Sequence, residues 1–305
     1  MSNQTNGANW DDSYSGMVSF LRIKHAETAK GADIAVMGIP YDLGTTGRPG
    51  ARFGPRAVRE QSLIVGEFEW GVYPWTYEVR DAYTCVDIGD VTGFTAYPDR
   101  LCPSVEAKAK EVLDEGASLL SIGGDHFVSL PLLRAHVAKH GPLALIHFDA
   151  HSDTWQDEDL NHGTMFYHAL QEGLIIPEHS IQIGLRTPNP ETYGIEIWDA
   201  DKCLRSSPED VTARIREIVG GSKAYLTFDI DALDPAFAPG TGTPVVGGLH
   251  VAWARTVLQG LEGLKIVGGD QVEVSPHYDT AAQITALAGA TIAADILYLI
   301  AAGRK

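Results

Sequence analysis

Cysteine is scarce in this 305-residue chain: Cys85, Cys102 and Cys203 are the whole complement. An odd, sparse count without paired spacing argues against a disulfide framework and against a thiolate zinc site. Positive charge is also short, with 23 Lys and Arg against 40 Asp and Glu, a formal net charge of −17. That argues against binding along a nucleic-acid backbone, which needs a basic face. It suits a small cation or metal ions drawn in by the summed field, and equally an acidic surface that only keeps the chain soluble. No hydrophobic run reads as long enough to span a membrane. The start, MSNQTNGANWDD, lacks the basic-then-apolar pattern of a targeting segment, so a cytoplasmic protein with no membrane partner is expected. The glycine-rich GTTGRPGARFG (44–54) contains neither GK[ST] nor GxGxxG, which weakens a phosphate-cradling reading. Its glycines read instead as a tight backbone path near the rim of a site. No Pro-, Ser- or charge-rich linker and no internal repeat interrupts the chain. One domain over residues 1–305 is expected, with residues 1–30 as an N-terminal arm whose Trp10, Tyr14 and Phe20 pack on a neighbouring copy.

Hydrophobic residues make up 44% of the chain, enough for a large core. They are organised as short apolar runs alternating with longer amphipathic stretches. Strands are expected at 32–39, 84–91, 117–124, 143–149, 180–185, 195–199, 223–231 and 264–274. Helices are expected near 54–63, 100–116, 127–141, 207–221, 249–263 and 281–303, with Ser207 as a cap and Gly116 as a stop. Strands alternating with helices predict a three-layer αβα sandwich around a mainly parallel sheet of about eight strands. In such sheets ligands bind beyond the carboxyl ends of the strands.

Three expected strands end in metal-type residues. One ends in Asp125-His126, one in Asp149, His151 and Asp153, and one in Asp229 and Asp231. In extended chain, residues two apart share a side, so each set converges if the strand geometry continues through it. Four aspartates (Asp149, Asp153, Asp229, Asp231) carry a formal −4 that two divalent cations would balance. Aspartate oxygens with one or two imidazoles suit Mn²⁺, with Zn²⁺, Ni²⁺ and Fe²⁺ also compatible. His147, one position from the set, reads as a hydrogen-bonded core histidine.

The segments GGDH (123–126), FDAHSD (148–153) and FDIDALDPAFAPGTGTP (228–244) resemble the ureohydrolases, the family of arginases and agmatinases. GIPYDLGTTGRPGARFGPRAVRE (38–60) and VEVSPHYD (272–279) are similar to that family's N- and C-terminal signatures. The resemblance runs from about residue 15 to the end and is closest to bacterial agmatinases. It implies the arginase/deacetylase fold and two Mn²⁺ per chain. It also implies hydrolysis of a guanidinium to urea and an amine, by attack of a metal-bridging hydroxide. One metal would be held by His126, Asp149, Asp153 and Asp229, the other by Asp149, His151, Asp229 and Asp231. Asp153 would relay the proton of the hydroxide, His162 would shuttle protons near the leaving amine, and Glu273 would hold the guanidinium by paired hydrogen bonds. A homotrimer or homohexamer is implied as well.

The loop TWQDEDLNHG (154–163) lacks the Ser/Asn pattern with which arginases hold an amino-acid head group. Its acids Asp157, Glu158 and Asp159 would welcome an amine tail or form a solvated turn. The expected substrate is agmatine, a small cationic guanidine, giving putrescine. Guanidinobutyrate, guanidinopropionate and free guanidine are the alternatives, as is a non-catalytic paralogue that binds metal or polyamine. A single-zinc deacetylase lacks the GGDH strand end, and a metallophosphatase needs motifs absent here. Gln271, where many relatives are apolar, either adjusts the chain outside the metal shell or alters the pocket.

Overall fold

The computed structural model describes residues 16–66, 73–93 and 97–304. Among the described residues, nine strands form one sheet: β1 (Lys24–His25), β2 (Ile34–Ile39), β3 (Cys85–Asp90), β4 (Ser118–Gly123), β5 (Ala144–Phe148), β6 (Ile181–Leu185), β7 (Glu196–Asp199), β8 (Lys223–Asp229) and β9 (Lys265–Val272). Their order is β1-β3-β2-β4-β9-β8-β5-β6-β7, and all the pairings are parallel. Eight of these strands coincide with expected ones. The ninth, β1, is two exposed residues at the sheet edge, too short and too polar to leave an apolar signal.

Nine helices cover the two faces among the described residues: α1 (Gly54–Val65), α2 (Val79–Ala82), α3 (Leu101–Asp114), α4 (Ser129–His140), α5 (Met165–Gln171), α6 (Ala200–Arg205), α7 (Pro208–Val219), α8 (Val251–Gly260) and α9 (Ile284–Gly303). Strand periodicity divides the apolar side chains between two layers. Val36, Ile122, Ile146, Leu226 and Phe228 face α1, α7, α8 and α9. Met37, Leu119, Leu145 and Tyr225 face α3, α4 and α5. The expected three-layer sandwich is the architecture found.

Two expectations change. The helix α9 is 20 residues long and its most apolar 18-residue window has mean hydropathy 1.9, enough by length and composition to cross a membrane, contrary to the sequence reading. Its most apolar window is 83% buried within the protein, and its Asp295 accepts from Trp75 Nε1 (2.8 Å) and Arg255 Nε (2.7 Å). A helix apolar on every side is what a central core position requires. Phe20, assigned to an outward-packing arm, is fully buried in its own chain beside α1, and its N–H donates to Asp87 (2.8 Å). Trp10 and Tyr14 lie outside the described residues.

The strand order places the site. β4, β9, β8 and β5 are successive neighbours, so GGDH, QVEV, FDID and DAHSD all emerge along one edge of the sheet. Gly124 is required there by close approach: a Cβ would lie 1.7 Å from the Tyr41 carbonyl oxygen. That proximity lets the Asp125 N–H donate to Tyr41 O (2.7 Å) as the chain turns toward His126.

Candidate metal centre and cavity

Past the strand ends the chain is not extended, so the carboxylates converge by another route than the one expected. Asp149 Oδ1 accepts the His151 N–H (2.7 Å), and Asp229 Oδ1 accepts the Asp231 N–H (2.7 Å). Each motif thus closes a tight turn on its own first aspartate. Asp153 then takes a left-handed conformation (φ 51°) that swings its side chain back. The result is still a cluster. His126 Nδ1 lies 3.0 Å from Asp149 Oδ2, 3.0 Å from Asp153 Oδ2 and 3.2 Å from Asp229 Oδ2. His151 Nδ1 lies 3.3 Å from Asp149 Oδ1 and 3.2 Å from Asp231 Oδ2.

The tautomer of His126 follows from its far side. Its Nε2 is 2.8 Å from the Thr227 hydroxyl, which donates its own hydrogen to Asp270 Oδ1 (2.5 Å). Asp270 is held in turn by the hydroxyls of Ser129 (2.8 Å) and Tyr225 (2.7 Å). Thr227 must therefore accept from His126 Nε2–H, which in the neutral ring leaves a lone pair on Nδ1 facing three carboxylate oxygens. That buried nitrogen has no hydrogen-bond partner. Acceptors converging on acceptors require a proton or a metal cation between them.

Among the described residues, two groups could hold a metal ion: His126, His147, Asp149 and Asp153 form one, and Asp149, His151 and Asp231 the other. Asp149 belongs to both. Asp229 belongs to neither compact set, although its Oδ2 reaches His126. His147 enters the first set, where the sequence reading had only a core histidine.

The electrostatics tell the same story. Burial drives up the pKa values of Asp153, Asp229 and Asp231, and the charge of Asp149 adds to each. Burial opposes charge on His151, but Asp149 and Asp231 outweigh it and lift the ring to about 12. For His126 burial is likewise outweighed by Asp149, Asp153 and Asp229. Asp149 alone is held well below the carboxylate range: burial would raise it, but His147, His126 and His151 prevail. Without a cation the cluster stores protons. Divalent ions must displace them, so Mn²⁺ loading should release protons and weaken as pH falls, by about tenfold per pH unit for each proton displaced. Calorimetric titration in buffers of differing ionisation enthalpy reads that release directly.

Beside the cluster lies a cavity of about 300 Å³, lined by His151, Asp153, Trp155, Asp157, His162 and Thr46 among others. Of the three loop acids, Asp157 lines it; Glu158 and Asp159 are exposed and outside the lining, and the Asp159 N–H donates to Asp157 Oδ1 (3.0 Å). The His162 ring is fixed at both nitrogens. Thr46 donates its N–H (2.9 Å) to Nε2, its hydroxyl lies 2.7 Å from the same nitrogen, and Nδ1 is 2.9 Å from Glu273 Oε1. In the neutral ring, acceptance from the Thr46 N–H makes Nδ1 the protonated nitrogen, donating to Glu273. Burial opposes a charge on His162, yet Glu273 outweighs it and raises the pKa to about 9. On protonation, Nε2–H would find its acceptor in the Thr46 hydroxyl. Thr46 comes from the glycine-rich loop, whose path near the rim was legible but whose hydroxyl was not.

Glu273 is buried with φ 66° and stands behind His162, outside the cavity lining. Its Oε1 also accepts the His126 N–H (2.9 Å), while Oε2 has no partner. One oxygen is therefore already committed, where the expectation was a carboxylate free to pair through both. Gln271 is buried, donates to the Val272 carbonyl (2.8 Å) and packs toward α9, so it adjusts the chain away from the cavity.

An αβα sandwich with carboxylates and histidines gathered at the ends of β4, β5 and β8 is the frame of a metal-dependent hydrolase. The arginase family model matches residues 32–298, and the chain belongs to that family. It is 47% identical over 309 residues, the whole of both chains, to an agmatinase from Photorhabdus laumondii. A hypothetical agmatinase from Burkholderia thailandensis superposes with a TM-score of 0.91 at 47% identity, over 94% of this chain and 91% of that one. The proclavaminate amidino hydrolase of Streptomyces clavuligerus gives 0.89 at 37% identity, over 95% and 99%. The chain is accordingly a hydrolase of the arginase family.

Proposed function

We propose that this protein hydrolyses the guanidinium of agmatine to putrescine and urea, using two Mn²⁺ ions held by His126, Asp149, Asp153, Asp229, His151 and Asp231. The observation that carries the reading is the unpartnered His126 Nδ1 facing three carboxylates, with Asp149 shared by a second metal-type group. Full-length likeness to agmatinases supports the choice of substrate. The resemblance alone supports a homotrimer or homohexamer; sedimentation as a monomer would contradict it.

A bound pair of divalent ions supplies Lewis acidity and a hydroxide nucleophile at neutral pH. The remaining work falls to side chains. Asp153, at the cavity wall, accepts the nucleophile's proton. His162 carries a proton to the leaving amine, and its raised pKa keeps it charged at neutral pH. Glu273 sustains that charge through Oε1, and its unpartnered Oε2 would take a guanidinium N–H from a substrate that reaches past the present cavity wall beside His162. Asp157 meets the tail ammonium at the mouth. Being solvent-exposed, such a pair contributes about 0.2–1 kcal/mol, so Asp157→Asn should raise the KM for agmatine by roughly 1.5- to 5-fold with kcat little changed. Glu158→Gln and Asp159→Asn should not.

The test of the reading is urea release from the Mn²⁺-loaded protein with agmatine, arginine, guanidinobutyrate and free guanidine side by side. A highest kcat/KM for agmatine is expected. A different preferred guanidine overturns the specificity and leaves the metal chemistry; no urea from any of them overturns both.

A further inference from the structure

His147 sits within ligand distance of the candidate metal group, yet its hydrogen bonds give it a different task. The Gln182 amide orientation is unambiguous: the terminal atom 2.6 Å from the Ser152 carbonyl oxygen must be the amide nitrogen, Nε2, because a carbonyl can only accept. The same Nε2 stands 3.0 Å from His147 Nδ1, which therefore accepts as well. A neutral imidazole that accepts at Nδ1 carries its proton at Nε2, and His147 Nε2 lies 2.7 Å from Asp149 Oδ2. The proton points at the carboxylate. No lone pair remains on His147 for a metal ion.

The fold builds this arrangement deliberately. His147 and Gln182 are direct register partners on the parallel strands β5 and β6. Both are buried. The imidazole is wedged against Phe166, with centroids 4.7 Å apart, and against His126 at 5.2 Å, so ring rotation is blocked. Asp149 is the residue common to both metal-type groups, with Oδ2 toward His126 and Oδ1 toward His151.

We propose that Gln182 and His147 act as a positioning pair: Gln182 selects the Nε2–H tautomer of His147, and that N–H fixes the Asp149 carboxylate so that each oxygen faces one metal position. His147 is thus neither a ligand nor an incidental core residue. The inference rests on the two-metal reading above. Outer partners of this kind typically alter metal affinity 10- to 100-fold when removed.

Two measurements on the full-length protein test it. In the metal-free, ¹⁵N-histidine-labelled chain, long-range ¹H–¹⁵N spectra should show His147 protonated at Nε2 only, with assignment by the signals missing from His147→Gln. A proton at Nδ1 overturns the proposal. In chelator-competition titrations, Gln182→Leu and His147→Gln should each still bind two Mn²⁺ per chain, with at least one ion held 10- to 100-fold more weakly. Outright loss of one ion in His147→Gln makes His147 a ligand and overturns the proposal. Unchanged affinity in both variants, with only a lower Tm, reduces the pair to core packing and also overturns it. Fewer than two Mn²⁺ in the unsubstituted protein would sink the two-metal reading, while the tautomer measurement would still decide the pair.

Discussion

Asp149→Asn should lose metal and activity together. The asparagine keeps the shape of the side chain but removes the one charge that both metal-type groups share. It also places an NH₂ group where one of two acceptor oxygens stood. His147 Nε2 and the His151 N–H both donate to Asp149 now, so one of them would meet a donor instead of an acceptor. Breaking a buried, hydrogen-bonded charge set costs about 3–5 kcal/mol, which corresponds to roughly a hundred- to several-thousand-fold in Mn²⁺ affinity. Urea release should fall by at least that factor at limiting metal, and excess Mn²⁺ should restore only part of it. Atomic absorption after gel filtration measures the metal, and circular dichroism checks the fold. Retention of two ions with full activity would show that Asp149 is not the shared ligand.

Glu273→Gln should separate binding from proton transfer. The substitution leaves every proposed metal ligand in place, so two Mn²⁺ should remain. Two functions are lost at once. The uncommitted Oε2 is replaced or neutralised, costing a charge-assisted hydrogen bond to the guanidinium of about 1.5–3 kcal/mol, or roughly 10- to 150-fold in kcat/KM. His162 also loses the carboxylate that lifts its pKa to about 9. The sign is definite. His162 must be charged to donate, so the alkaline limb set by this group lies near its raised pKa in the unsubstituted protein. In the variant that limb moves down toward the ordinary histidine value of about 6.5. A kcat–pH profile of the two proteins measures the displacement. A limb that does not move would remove His162 from the proton path, or Glu273 from the control of it.

The chain sequence displayed most of the frame because each central strand is a short run of Val, Ile, Leu and Phe between turn residues. It hid β1, whose two residues are exposed, and α2, α5 and α6, which are too short to show a full amphipathic repeat. Phe20 read as outward-packing because polar residues precede it; burial against α1 comes from tertiary contact that no local pattern reports. The site divides in the same way. The metal-type residues were legible because three strand ends spelled them out. Their geometry was not, since the strand period fails where Asp149 and Asp229 fold their own turns and Asp153 goes left-handed. Least legible was the layer behind. Thr227, Asp270 and Gln182 are ordinary polar residues until the sheet order sets β9 beside β8 and β6 beside β5. Those neighbours then decide which nitrogen of His126 and of His147 carries a proton.

Two cations are proposed to share the Asp149 carboxylate, the one residue common to both metal-type groups. Crystals grown with Mn²⁺ and measured at the manganese edge test it most directly. The account predicts two anomalous peaks per chain, one among His126, Asp149, Asp153 and Asp229, the other among Asp149, His151, Asp229 and Asp231, with none on His147 Nε2. A single peak, or a peak bonded to His147, would contradict it.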